Sequence, residues 1–189
     1  HRLSLRFENP GTVILNNMRG CGAFPLPKLR RVRLPQRFNL IADAPTCQDV
    51  QVTGFDPEKF MEPKEARKAD RFCQFAIAAA QEALDQSGIK DLADPFRAGV
   101  IIASGIGGMH TFEDQHGKLV ARGPRAVSPL FIPMMIADMA AGLVSIRFGF
   151  RGPNYCTLSA CASSAHAIGS AFDQIRLGNA DVMITGGTE

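Results

Sequence analysis

The chain has 189 residues, 46% of them hydrophobic, a formal net charge of +3, and five cysteines at Cys21, Cys47, Cys73, Cys156 and Cys161. This apolar content is enough for one domain with a sizeable core, while the apolar runs are too short or too interrupted to cross a bilayer. An odd number of cysteines without C-x-x-C spacing argues against a disulfide scaffold or a zinc site, and the chain reads as soluble, intracellular and cytoplasmic.

The charge is unevenly divided. Residues 1–40 carry eight Lys/Arg against the single acid Glu8, giving +7, and the remaining thirteen Lys/Arg and seventeen acids give −4. Pro10, Pro25, Pro27, Pro35 and Pro45 interrupt every element proposed for this head. Thr12 to Leu15 alone reads as a short strand, and Asn16-Asn17 and Gly20-Cys21-Gly22 read as turns. The head lacks the aromatic interleaving of a nucleic-acid arm, so no nucleic-acid partner is expected. We divide the chain into a basic, Pro-rich head at 1–47 and a regular domain at 48–189.

From Phe55 the pattern becomes regular. Pro63 followed by Lys64-Glu65-Ala66-Arg67-Lys68-Ala69 predicts the start of a helix that runs to about Ser87 and stops at Gly88. On that helix Lys64, Arg67, Lys68 and Arg71 fall at i, i+3, i+4 and i+7, a positive stripe on one face. Such stripes are commonly plain solvated surface, although a dense one attracts acidic partners. Arg97 to Ser104 predicts a buried strand running into Gly105-Ile106-Gly107-Gly108, whose spacing fits neither a phosphate loop nor a dinucleotide fingerprint. A polar helix over Met109–Val120 and a second over Met134–Arg147 follow. Gly152-Pro153 then turns the chain into a β-prone run, Asn154 to Leu158. Asp181 to Gly187 predicts a further buried strand. Uniformly apolar strands alternating with helices indicate an α/β protein whose sheet is covered on both faces.

The candidate chemistry sits where the β-prone run meets a helix of very small residues, at Thr157-Leu158-Ser159-Ala160-Cys161-Ala162-Ser163-Ser164. A cysteine at a helix start lies in the positive end of the macrodipole beside free N–H groups, which favours the nucleophilic thiolate. The competing reading is a packed, inert thiol. His166 lies about 140° from Cys161 round an ideal helix and reads as a buried core histidine rather than a base. His110 and His116 fall on an exposed stretch without partners. Ser163 and Ser164 lack the G-x-S-x-G frame of a serine nucleophile. The sequence therefore offers a nucleophile without a base, and nothing in it calls for a metal or another cofactor.

These residues resemble a known family. Gly152-Pro153, Thr157 to Gly169 and Gly178-Asn-Ala-Asp-Val-Met-Ile-Thr-Gly-Gly-Thr-Glu189 are similar to the β-ketoacyl-acyl-carrier-protein synthases of fatty-acid synthesis, of the elongating type II. Ser104 to Gly108, Gly123 to Phe131 and Lys64 to Phe72 fit the same family in the same order, so the likeness covers about 54–189. It implies a thiolase-like fold of two α/β halves in a layered α-β-α-β-α sandwich, of which this chain resembles the first. It also implies decarboxylative condensation of an acyl thioester with malonyl carrier protein. Cys161 would accept the acyl group, Ile106 would gate the acyl pocket, and Phe131 would line the partner's pocket across a homodimer. Lys64, Arg67 and Lys68, with Arg71 completing the stripe, would receive the acidic acyl carrier protein. The family's decarboxylating histidines and lysine belong to its second half, so the 189 residues alone are expected to be inactive in condensation. Nothing in 1–47 resembles the family's opening strand and glycine-rich turn, as a displaced reading frame regained near Val52 to Phe55 would produce. Two alternatives stand beside this: a non-catalytic pairing fragment or gene remnant, and a thiolase acting on acyl-CoA.

Overall fold

The computed structural model describes residues 54–89 and 94–189, together with the backbone of two strands at 3–9 and 12–17. The turn expected at Gly20–Gly22 lies outside the described residues, as does most of the basic head. The described strands form one sheet in the order β1 (Leu3–Asn9), β2 (Thr12–Asn17), β5 (Val182–Gly187), β3 (Ala98–Ala103), β4 (Asn154–Tyr155). β3 runs parallel to both β5 and β4, and β2 pairs antiparallel with β5 and with β1. The head thus contributes a hairpin where the sequence suggested one short strand, and Asn16 and Asn17 belong to β2 rather than to a turn.

β3 and β5 form where apolar runs were expected, and period-2 alternation assigns their side chains to two cores. Ala98, Val100, Ile102 and Ile184 face a large core built with α2 (Arg71–Ser87) and α5 (Met139–Phe148), which supply Phe72, Cys73, Ala76, Ile77, Ala80, Ala140, Ala141 and Val144. Ile101, Ala103 and Met183 face the opposite core, filled by Ala167, Ala171 and Ile175 of α6 (Ser163–Arg176). The sheet is covered on both faces, as the apolar strands required. No described helix is long and apolar enough to cross a membrane.

Three elements differ from expectation. The helix expected from Lys64 to Ser87 is two: α1 (Pro63–Ala66) ends at Arg67, and α2 begins after Asp70, whose backbone is extended at φ −64°, ψ 162°. An aspartate competes poorly inside a helix because its carboxylate seeks nearby donors. Here Asp70 Oδ2 accepts from the Thr111 N–H at 2.9 Å and from its hydroxyl at 2.5 Å. Gln74 Nε2 then donates to the carbonyls of Ala66 and Ala69, at 2.9 and 3.1 Å, satisfying acceptors that a continuous helix would have used. The helix expected at Met134–Arg147 also splits, into α4 (Phe131–Met135) and α5, because Ile136 is extended between them. Finally, the run toward Cys161 pairs with β3 only at Asn154 and Tyr155. The polar helix forms as α3 (Met109–Arg122).

Candidate active site

Cys161 sits in a 3₁₀ turn, Ala160–Ala162, that leads directly into α6. It is exposed, and its thiol makes no hydrogen bond among the described residues. Cys161 is therefore not packed among the described residues. Cys73, in contrast, is buried in the large core, and desolvation, reinforced by Asp70 and Asp138, pushes its thiol far up. Cys156 is half-buried and its thiol is also raised, by burial first, with a Ser104 backbone hydrogen bond opposing.

Ser163 builds the turn. Its buried hydroxyl donates to the Ala160 carbonyl at 2.6 Å and accepts from the Ser159 N–H at 2.8 Å, while Thr157 Oγ1 donates to the Ser163 carbonyl at 3.0 Å. These bonds hold Ala160 at φ +49°, the one non-glycine residue with positive φ among those described. Such a conformation costs an alanine about 1 kcal/mol or more and persists only where its surroundings over-determine it. Below the turn, α6 approaches β5 closely: a Cβ on Gly187 would lie 2.7 Å from Ser164 Cβ.

His166 is exposed, which corrects the expectation of a buried core histidine. The buried stripe of α6 is Ser163, Ala167, Ala171 and Ile175, and position 166 lies about 120° from its centre. Small residues on every side suggested burial all round, but the sheet covers only one face. His166 Nδ1 shares a 2.6 Å hydrogen bond with Ser159 Oγ and none with Cys161, so it steadies the turn's far side. His110 and His116 are exposed on α3, as expected, with His116 stacked on Phe112.

Ile106 projects from the turn after β3 and is 62% exposed. Phe131 opens α4, half-buried, with its ring 6.2 Å from that of Phe112. Nothing in the local sequence around Glu189 marks it as part of a site. Its carboxylate nevertheless accepts from the Gly105 and Ile106 N–H groups, at 2.6 and 3.1 Å. Only its neighbourhood to a parallel-strand end could have marked it.

Lys64, Arg67, Lys68 and Arg71 are all exposed, but the break between α1 and α2 removes the single helical face on which their spacing had placed them. Lys64, Arg67 and Lys68 form no ion pair among the described residues. The Arg71 guanidinium lies 5.0 Å from the Phe75 ring centroid and 5.8 Å from that of Phe55, a cation–π arrangement. No group of described side chains could hold a metal ion.

The family model for the N-terminal domain of β-ketoacyl synthases matches residues 13–189. Among curated proteins, the chain is 51% identical over 142 residues to 3-oxoacyl-[acyl-carrier-protein] synthase 2 of Staphylococcus aureus, covering 74% of this chain and 35% of that protein. The enzyme of the same name from Synechocystis is 47% identical over 141 residues, covering 74% and 34%. The chain thus spans about a third of the length of the curated relatives it matches. Among solved structures, a β-ketoacyl synthase from Burkholderia phymatum superposes with TM-score 0.64 at 28% identity, over 72% of this chain and 34% of that one. The AntDE:AntF complex, a type II PKS acyl-carrier protein with its ketosynthase bound to the hexaketide, gives TM-score 0.68 at 27% identity, over 72% and 40%.

Proposed function

Because this chain belongs to the β-ketoacyl synthase family, as its N-terminal domain, we propose that Cys161 is the residue that takes up the acyl group. The observation that carries the proposal is the exposed thiol on a turn forced into a costly backbone conformation and leading straight into a helix. The Cys161 thiol gives up its proton and its sulfur attacks the acyl thioester carbonyl; the Cys161 thioester bond forms as the bond to the carrier sulfur breaks, and the departing carrier thiolate takes up a proton in place of the one Cys161 released. In the complete synthase the enolate from decarboxylated malonyl carrier protein then attacks that thioester, extending a fatty acid by decarboxylative Claisen condensation. The proposal assigns Ile106 to the gate of the acyl pocket and Phe131 to the partner's pocket in a homodimer. Lys64, Arg67, Lys68 and Arg71 form a basic docking area for the acyl carrier protein, spread over a helix end and the following helix start. The site is assigned to the cytoplasm and needs no cofactor.

In the family this chain resembles, the decarboxylating histidines and lysine belong to the second half, and the proposal is accordingly that the 189 residues by themselves carry out acyl transfer to Cys161 without forming a ketoacyl product. Intact-mass measurement after incubation with acyl-loaded carrier protein tests the proposal. The expected result is one acyl adduct on Cys161 that disappears in Cys161→Ala. An adduct that survives this substitution, or none with the parent chain, refutes it.

A further inference from the structure

The turn after β3 is held from two directions. β3 and β5 are parallel neighbours with Ala103 opposite Gly187, and the Thr188 N–H donates to the Ala103 carbonyl at 2.9 Å, continuing the ladder by one step. The next residue, Glu189, then lies over the turn that leaves β3. Its Oε2 accepts from the Gly105 N–H at 2.6 Å and from Ser104 Oγ at 3.2 Å, and its Oε1 accepts from the Ile106 N–H at 3.1 Å. Ser104 Oγ in turn accepts from the Gly107 N–H at 2.9 Å. From the other side, the Gly108 N–H donates to the Met135 carbonyl at the end of α4, at 2.8 Å. Gly107, at φ +90°, lies so close to Met135 that a Cβ would come within 2.4 Å of that same carbonyl oxygen. The Ile106 backbone is thus fixed by charge-assisted bonds while its side chain stays in the open.

We infer that Glu189 is a positioning residue for Ile106: its carboxylate sets the height and direction from which that side chain enters the acyl pocket, and so sets which chain lengths Cys161 accepts. The inference rests on the acyl-transfer reading above. Ile106 acts by its bulk, and a shift of its backbone by a fraction of a side chain's width changes the room left for an acyl tail. Glu189→Ala removes all three acceptor contacts. Glu189→Gln keeps the shape but turns one acceptor into a donor facing an N–H or hydroxyl.

The test uses both variants and two readouts. The first is amide hydrogen exchange at Gly105 and Ile106, expected to quicken about tenfold in Glu189→Ala and less in Glu189→Gln. The second is the ratio of Cys161 acylation rates with dodecanoyl- and butyryl-pantetheine, expected to move about fivefold toward unity. Iodoacetamide labelling of Cys161 should stay within about twofold and Cys73 should stay unlabelled, which shows an intact fold. Unchanged exchange in both variants overturns the clamp. Faster exchange with an unchanged ratio overturns its role in specificity. Glu189-dependent protection in a parent chain that neither thioester acylates supports the clamp and sinks the acyl-transfer reading alone, since amide protection requires no acyl group.

Discussion

The two faces of the sheet both use alanine where a helix meets a strand, but they differ in how much bulk they carry beside it. On the α2 and α5 side, Phe72, Ile77, Val144 and Phe150 fill the space with bulk. On the α6 side the helix presents Ala167 and Ala171 to Ile101 and Met183, so helix and strand lie close together. Large side chains remove much apolar surface from water, whereas small ones fix a distance. The bulkier face buries more apolar surface, and the other face carries the helix that the Cys161 turn leads into.

Phe72→Ala leaves a cavity in the large core. Urea unfolding should show a loss of about 3–5 kcal/mol, with native-state alkylation of Cys161 little changed. A large drop in Cys161 reactivity under native conditions would mean that the two faces are not separable. Ala167→Leu works on the α6 face. Overpacking there should cost about 1–3 kcal/mol, and because α6 must lift from the sheet it should also alter the Cys161 alkylation rate. An unchanged rate beside that loss would show that the turn does not depend on helix height.

The smallest effect concerns protons. The folded state keeps Cys73 protonated above its ordinary value of 9.0, while the unfolded chain releases the proton there. Stability contributed by this group is therefore full below pH 9 and declines as pH rises through and beyond it. In Cys73→Ala that decline should flatten, as followed by urea midpoints between pH 8 and 10, and an identical slope in parent and variant would refute the assignment.

Legibility in the sequence followed the range of the interactions. β3 and β5 could be read because uninterrupted apolar runs reflect burial on both faces, and Cys161 because a change from β-prone to helix-forming residues is local. The break before α2 could not, since Lys64 to Ala69 are good helix formers and the decisive bond joins Asp70 to Thr111, 41 residues away. Arg71 and its neighbours were assigned to one face by a periodicity that the break interrupts. Ala160's positive φ was equally hidden, being imposed by Ser163 and not by its own side chain. Glu189 meets residues more than 80 positions earlier, and only the strand pairing brings them together.

The tight meeting of Gly187 and Ser164 also limits the order in which this part of the molecule can change. Gly187→Ala introduced first brings its Cβ to 2.7 Å from Ser164 Cβ, an atom fixed to the helix backbone, so α6 and the turn above it must shift. If Ser164→Gly comes first, most of the obstruction is gone and the alanine can follow. The two single steps are thus of very unequal cost although the double variant is the same by either route. A selection that accumulates one substitution at a time would reach it through position 164, and a survey of single variants would wrongly mark position 187 as closed.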